Sequence, residues 1–158
     1  MSHEDILVLF NQRNKAMGMT REQMDRLIEE HFTYEATDDV DGVLSSLTED
    51  AEHEIIPSPL GVLTDHASIR GMYEMLFRDL KGQDVTPVRR LYGDGFVVDE
   101  TVWHGHVADG RQFLCEGRSG KASFRLLHIF EFRDDKIARE NVWCDLAAIQ
   151  RQLGCEPR

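Results

Sequence analysis

The strongest constraint on this chain comes from its second half. Between positions 85 and 144, short runs of alternating apolar and polar residues are divided by turn residues, with no helical stripe among them. Runs joined by tight turns must pair antiparallel, because a parallel crossover needs a dozen residues or more. The predicted strands are 85–92, 96–107, 123–133 and 136–144, with turns at Gly93-Asp94-Gly95, Ala108-Asp109-Gly110 and Asp134-Asp135. Positions 111–121 read as a long connection.

The first half has helical periodicity instead. Ser2 can cap a helix over 4–17 that Gly18 stops. Thr20 with Gln23 three residues later is a capping-box pattern, followed by Met24, Leu27, Ile28 and Phe32 at helical spacing. Asp38 or Asp39 can open a short helix bearing Val40, Val43, Leu44 and Leu47. A strand over 51–56 ends at Pro57 and Pro59, which cannot donate to a ladder. Thr64 or Asp65 caps a helix with Ile69, Met72, Tyr73 and Leu76 on one face and Gly82 at its end. Gly71, inside it, suggests a close approach of the sheet. Asp145 opens a last helix with Leu146, Ile149 and Leu153 inward. Helices followed by a strand run are the mark of an α+β fold.

The chain has 158 residues, the size of one domain, with 41% apolar and 30% charged residues. Its formal charge of −11 disfavours a phosphate backbone as partner, so no nucleic acid is expected. The N-terminus lacks a signal-peptide pattern and no apolar run reaches the roughly 18 residues of a membrane span. No membrane partner and a cytoplasmic location are therefore expected. Cys115, Cys144 and Cys155 give neither a disulfide framework nor a zinc spacing, and read as small buried hydrophobes.

Strand alternation then selects candidate site residues. Glu100, Val102, His104 and His106 share a face with Phe96 and Val98, while Asp99, Thr101 and Trp103 share the other. One of the adjacent acids must face the more buried side, and the apolar company favours Glu100; a structural ion pair is the plainer alternative. His128 lies between Leu126 and Phe130, either as a satisfied core residue or facing a pocket. Glu140 lies mid-sheet. A two-residue turn at Asp134-Asp135 sets it opposite Ile129, a three-residue turn opposite Phe130. A buried carboxylate there must be paired or have its pKa raised, and a raised pKa suits acid–base work. The alternative is a solvated residue or a bridge to Arg125 or Arg139. His104-Gly105-His106 is half a metal site, with Glu100 as a conceivable third ligand, but zinc needs three or four, so no metal is expected. Asp145 reads as a helix cap, Tyr73 as core packing, and His53 as a residue able to reach a pocket mouth. No phosphate loop, nucleophile elbow or dinucleotide fingerprint is present.

The closing segment, Lys136-Ile137-Ala138-Arg139-Glu140-Asn141-Val142-Trp143-Cys144-Asp145 and on to Gln152-Leu153-Gly154, resembles that of the SnoaL-like, polyketide cyclase-like branch of the nuclear transport factor 2-like superfamily. Asp38 to Leu44, Leu47 to Ala51, Ile69-Arg70-Gly71-Met72-Tyr73 and Phe96 to Glu100 are similar to earlier parts of the same fold. The resemblance implies one SnoaL-like domain over 1–158, with 1–19 an extension or helix and 20–154 the core. Its fold would be a cone, a curved antiparallel sheet packed on N-terminal helices around one pocket. It further implies a homodimer and a hydrophobic small-molecule ligand. By position, His128 and Glu140 resemble the cyclase His and acid, although Glu140 stands where Asp is common and Asn141 where Trp is common.

The function expected is proton transfer on a hydrophobic carbonyl-bearing substrate, of cyclase, isomerase or lyase type, without a cofactor. Glu140, His128 and Glu100 would be catalytic, with His53, Tyr73, Trp103, His104, Trp143 and Asp145 around the substrate. The alternative is a non-catalytic ligand-binding or dimerisation module of the same fold.

Overall fold

The computed structural model describes residues 18–155. The helix expected over 4–17 lies outside them. Helix α1 (Arg21–Ala36) starts at the predicted capping box: Gln23 N–H donates to Thr20 Oγ1 at 3.2 Å and Thr20 N–H donates to Gln23 Oε1 at 2.8 Å. Its inward stripe is Met24, Leu27, Ile28 and His31, so a histidine continues an apolar row. Asp39 caps α2 (Val40–Ser46), which leads directly into β1 (Leu47–Ile56).

Asp65 caps α3 (His66–Asp79), which buries Ile69, Met72 and Tyr73. The helix ends at Asp79 rather than at Gly82, because β2 (Leu80–Tyr92) begins at once. A Cβ on Gly71 would meet nothing within 4 Å, so no close approach of the sheet explains this glycine. Strands β3 (Phe96–Val107), β4 (Gly120–Arg133) and β5 (Lys136–Cys144) follow, then α4 (Leu146–Gln152), capped by Asp145 through Ala148 N–H at 3.0 Å.

The five strands form one sheet in the order β1-β5-β4-β3-β2. All neighbours are antiparallel except β1 and β5. β2 is the edge strand at the β3 side, which is where a proline such as Pro87 is tolerated, and register shifts flank that residue and Gly82.

The β4–β5 hairpin settles the register left open above. Arg133 pairs with Lys136, so the turn has two residues, Asp134 and Asp135, both at positive φ (54° and 55°), as a type I′ turn requires. The register then slips by one between Glu131 and Phe132, a β-bulge that leaves Ala138 unpaired on β5. Phe130, not Ile129, therefore lies opposite Glu140.

Two apolar clusters fill the space beside the sheet. The larger joins α1, α2 and α3 to Val97, Phe130, Phe132 and Ile137. The smaller gathers Val107, Phe113, Phe124, Ile149 and Leu153 beneath α4. Cys115 and Cys155, read from sequence as separate hydrophobes, form a disulfide there with Cα atoms 6.0 Å apart. Their pairing was not legible because they are 40 residues apart and meet only once α4 packs back on the sheet. Among the described residues, no helix is long and apolar enough to cross a membrane.

Candidate functional site

Register fixes which side chains meet. Residues directly opposite on neighbouring strands share a face. His53 on β1 pairs with Glu140 on β5, Glu140 with Phe130 on β4, and Phe130 with Val97 on β3. One row along, Ile55, Val142, His128 and Asp99 align. This is the inner face, covered by α1 and α3.

Glu140 Oε2 is the centre of a buried polar cluster. It lies 3.2 Å from His31 Nε2, 3.4 Å from His53 Nε2 and 3.2 Å from the Tyr73 hydroxyl. The same hydroxyl contacts Glu35 Oε1 at 2.9 Å, His53 Nε2 at 3.2 Å and His31 Nε2 at 3.3 Å. Glu140 is 1% exposed, His31 0% and His53 2%. A helix, two strands and a second helix thus each deliver one or two groups to one point.

Hydrogen-bond bookkeeping gives the protonation of this cluster. Ser46 Oγ donates its hydrogen to Val43 C=O at 2.6 Å, so at 2.8 Å from His31 Nδ1 it can only accept. His31 Nε2 faces carboxylate oxygens of Glu35 and Glu140, which are acceptors when ionised. Both nitrogens of His31 therefore carry hydrogen, and the ring is an imidazolium. Burial opposes that charge, but Glu140 and Glu35 outweigh it and raise the His31 pKa to about 10. For Glu140 burial acts upward, yet His31 and His53 hold its carboxyl well below the usual carboxylate range. The sequence reading allowed pairing or a raised pKa, and the structure selects pairing. Burial, with the nearby charges of Glu140 and Glu35, pushes the Tyr73 phenol well above its ordinary value.

The Tyr73 hydrogen points to a carboxylate, so His53 Nε2 must donate to its oxygen. That leaves His53 Nδ1 buried without a partner among the described residues, along with Glu140 Oε1, His128 Nδ1 and Asp99 Oδ2. His128 stacks on Phe130 with ring centroids 5.5 Å apart and meets Phe32 in a T-shaped pair at 5.3 Å. Burial lowers its pKa, against the pull of Glu140, Glu35 and Asp99.

Other sequence candidates fall elsewhere. Glu100 is on the outer face, opposite Leu127, where Arg89 Nε donates to it at 2.7 Å and Arg125 forms a second ion pair. Those arginines pull its pKa down. The expectation that Glu100 shares the inner face with Glu140 is thereby corrected. Asp99 is the inward acid, 4% exposed and bonded to Arg90 Nε at 2.6 Å. Apolar company failed as a guide because both faces of β3 carry valines. His104 is also outside, between Thr86 and Ser123 at 2.9 and 2.8 Å. Trp103 faces inward but packs on Phe124 in the smaller core cluster, with ring centroids 5.0 Å apart. Trp143 is on the outer face and 38% exposed. Asp145 serves as the α4 cap.

His31 and Glu35 were not singled out from sequence. The signal was there: positions 24, 28, 31 and 35 follow one helical stripe, and two of them are titratable. Glu35 is one turn beyond His31, and with Glu140 these side chains place donor atoms within 4.8 Å of one another, close enough to hold a metal ion. A separate surface hollow lined by Asp41, Leu44, Glu49, His66, Arg70 and Lys136 includes none of the cluster residues.

Comparison with known proteins agrees with this architecture. No curated protein sequence matches. A putative polyketide cyclase from Silicibacter superposes with a TM-score of 0.71 at 18% identity, covering 85% of this chain and 98% of that one. A nuclear transport factor 2-like protein from Burkholderia xenovorans gives 0.67 at 18% identity, covering 86% and 99%. A protein of ketosteroid isomerase-like fold from Catenulispora acidiphila, in complex with trimethylamine, gives 0.66 at 14% identity, covering 82% and 93%. At these identities the likeness shows the fold alone. The SnoaL-like domain family matches residues 28–140, from the middle of α1 to Glu140 itself. The chain therefore belongs to the SnoaL-like family and carries the nuclear transport factor 2-like fold.

Proposed function

We propose that the protein is a small-molecule enzyme that moves a proton on a hydrophobic, carbonyl-bearing substrate, as in a cyclase, isomerase or lyase step. The observation that carries this reading is the arrangement of His53. Its Nε2 is fixed by Tyr73 and Glu140, while Nδ1 has no partner among the described residues. An imidazole held by an acid through one nitrogen, with the other buried but unpaired, is organised as a general base for a substrate that reaches that nitrogen. Glu140 acts through His53 as a positioning residue and keeps His31 charged. His128 supplies a second imidazole one row along the same face, lined by Phe32 and Phe130.

The test is deuterium uptake next to the carbonyl of hydrophobic ketones, β-tetralone first, in metal-free protein. General bases contribute roughly 10²–10⁴-fold in rate. His53→Gln should lose an acceleration in that range, and Glu140→Gln should lose nearly as much. Exchange no faster than buffer across the ketones, or undiminished in His53→Gln, would overturn the reading.

One observation favours the non-catalytic alternative: His31, His53, Tyr73 and Glu140 are each 2% exposed or less, as in a network that only orders the core. That alternative predicts ligand binding with no turnover. A homodimer belongs to the same proposal. The outer sheet face leaves Leu91 51% and Trp143 38% exposed beside half-buried Val98, Val102, Leu127 and Ile129, an apolar surface that a second copy could cover. Light scattering at a monomer mass would remove it. Cytoplasmic residence is proposed with it.

A further inference from the structure

We propose that His31, Glu35, Glu140 and Tyr73 form a binding site for a divalent first-row transition metal ion. The argument is geometric. Four donors around one ion at about 2.1 Å lie about 3.4 Å apart when tetrahedral. His31 Nε2 is 3.4 Å from Glu35 Oε1 and 3.2 Å from Glu140 Oε2. Tyr73 Oη is 3.3 Å from His31 Nε2, 2.9 Å from Glu35 Oε1 and 3.2 Å from Glu140 Oε2. The remaining edge, between the two carboxylates, is within 4.8 Å. Five of the six separations are thus close to the edges of a tetrahedral donor set, which is the ground for placing a small ion among the four atoms.

A second observation points the same way. Glu140 is 1% exposed, yet its Oε1 has no hydrogen-bond partner among the described residues. A carboxylate that turns bidentate on an ion would use that oxygen. His53 Nε2, 3.4 Å from Glu140 Oε2, would become a fifth donor only by giving up the hydrogen it directs at Tyr73. One or two imidazoles with carboxylates suit Zn²⁺, Co²⁺, Mn²⁺ or Fe²⁺ rather than Ca²⁺, and a 2+ charge matches two carboxylates. The hydrogen on His31 Nε2 must leave when the ion enters. Metal occupancy and the hydrogen-bonded cluster are thus alternative states of the same atoms, and the metal-filled state should not support the proton transfer proposed above. The inference does not depend on that function.

The test uses the full chain stripped with chelator. Co²⁺ is titrated while its tetrahedral ligand-field absorption is followed, and Zn²⁺ retained after gel filtration is measured by mass spectrometry. One equivalent of each is expected, with Zn²⁺ displacing Co²⁺. Glu35→Gln, chosen because Glu35 is partly exposed and its replacement should fold, should weaken uptake at least about tenfold, with unchanged circular dichroism. His106→Gln, on the exposed outer face, should leave uptake unchanged. No stoichiometric uptake by the wild type, full uptake in Glu35→Gln, or loss in His106→Gln would each overturn the site. Ketone exchange is measured on metal-free protein, so either proposal can fail while the other stands.

Discussion

Glu140 and Glu100 are the same residue type on adjacent parts of one sheet, and they have opposite circumstances. Glu140 is on the inner face, enclosed by two histidines and a tyrosine. Glu100 is on the outer face, between two arginines that reach it from solvent. Both carboxyls have lowered pKa values, but for different reasons. Beside Glu140 the ion pair offsets a heavy desolvation cost; beside Glu100 there is little such cost to offset. A shift in the same direction therefore says nothing about how much a charge matters. Burial decides that.

The largest effect should come from breaking the inner pair on one side. Glu140→Gln leaves the His31 imidazolium buried without its main partner, and such losses cost about 3–5 kcal/mol. Urea unfolding should show a clear fall in midpoint. Replacing both partners, His31→Leu with Glu140→Met, should recover most of it, because two apolar groups remove the buried charges together. If the double variant is as unstable as Glu140→Gln alone, the pair is not the main source of the loss.

Next in size is Tyr73→Phe. It removes the hydroxyl that four polar groups share and should cost about 1–3 kcal/mol, the range for leaving buried partners unsatisfied. A midpoint equal to wild type would mean the hydroxyl is dispensable to the cluster.

A smaller effect concerns acid. The native pKa of His128 is lowered from 6.5 by burial, outweighing the charges of Asp99, Glu35 and Glu140, while His31 adds to the lowering. Below the unfolded value the unfolded chain binds more protons than the native one, so this contribution is complete above about pH 6.5 and lost as pH falls through the native pKa. Stability of His128→Gln should fall less steeply below that pH than stability of the wild type. Parallel curves would show that His128 protonates freely in the native state.

The smallest effect should be Glu100→Gln. Its midpoint shift should be far below that of Glu140→Gln and should fade in about 1 M salt, where the screening length is about 3 Å. A shift rivalling that of Glu140→Gln would end the contrast between the two faces.

Much of the fold was legible because local signals agreed. The capping box at Thr20, the Asp145 cap and the Asp134-Asp135 turn all form where the sequence places them. Three of the five members of the polar cluster were legible too: His53, Tyr73 and Glu140 were singled out, but as separate residues. Their meeting point depends on α1 and α3 packing across the sheet, which no local pattern encodes. The facing of Glu100 was misread for a related reason. Alternation says which residues share a face of a strand, but not which face the helices will cover.

The bulge at Ala138 has a consequence for changes in chain length. Ile137 and Glu140 both point inward although an odd number of steps separates them, and the unpaired residue absorbs the difference. Deleting the codon for Ala138 would give regular alternation with Glu140 still inward. Deleting one residue between Glu140 and the α4 cap would instead put the rest of β5 out of step with the face that the cluster and cap require. In a library of single-codon deletions across this hairpin, position 138 should stand out as the tolerant one.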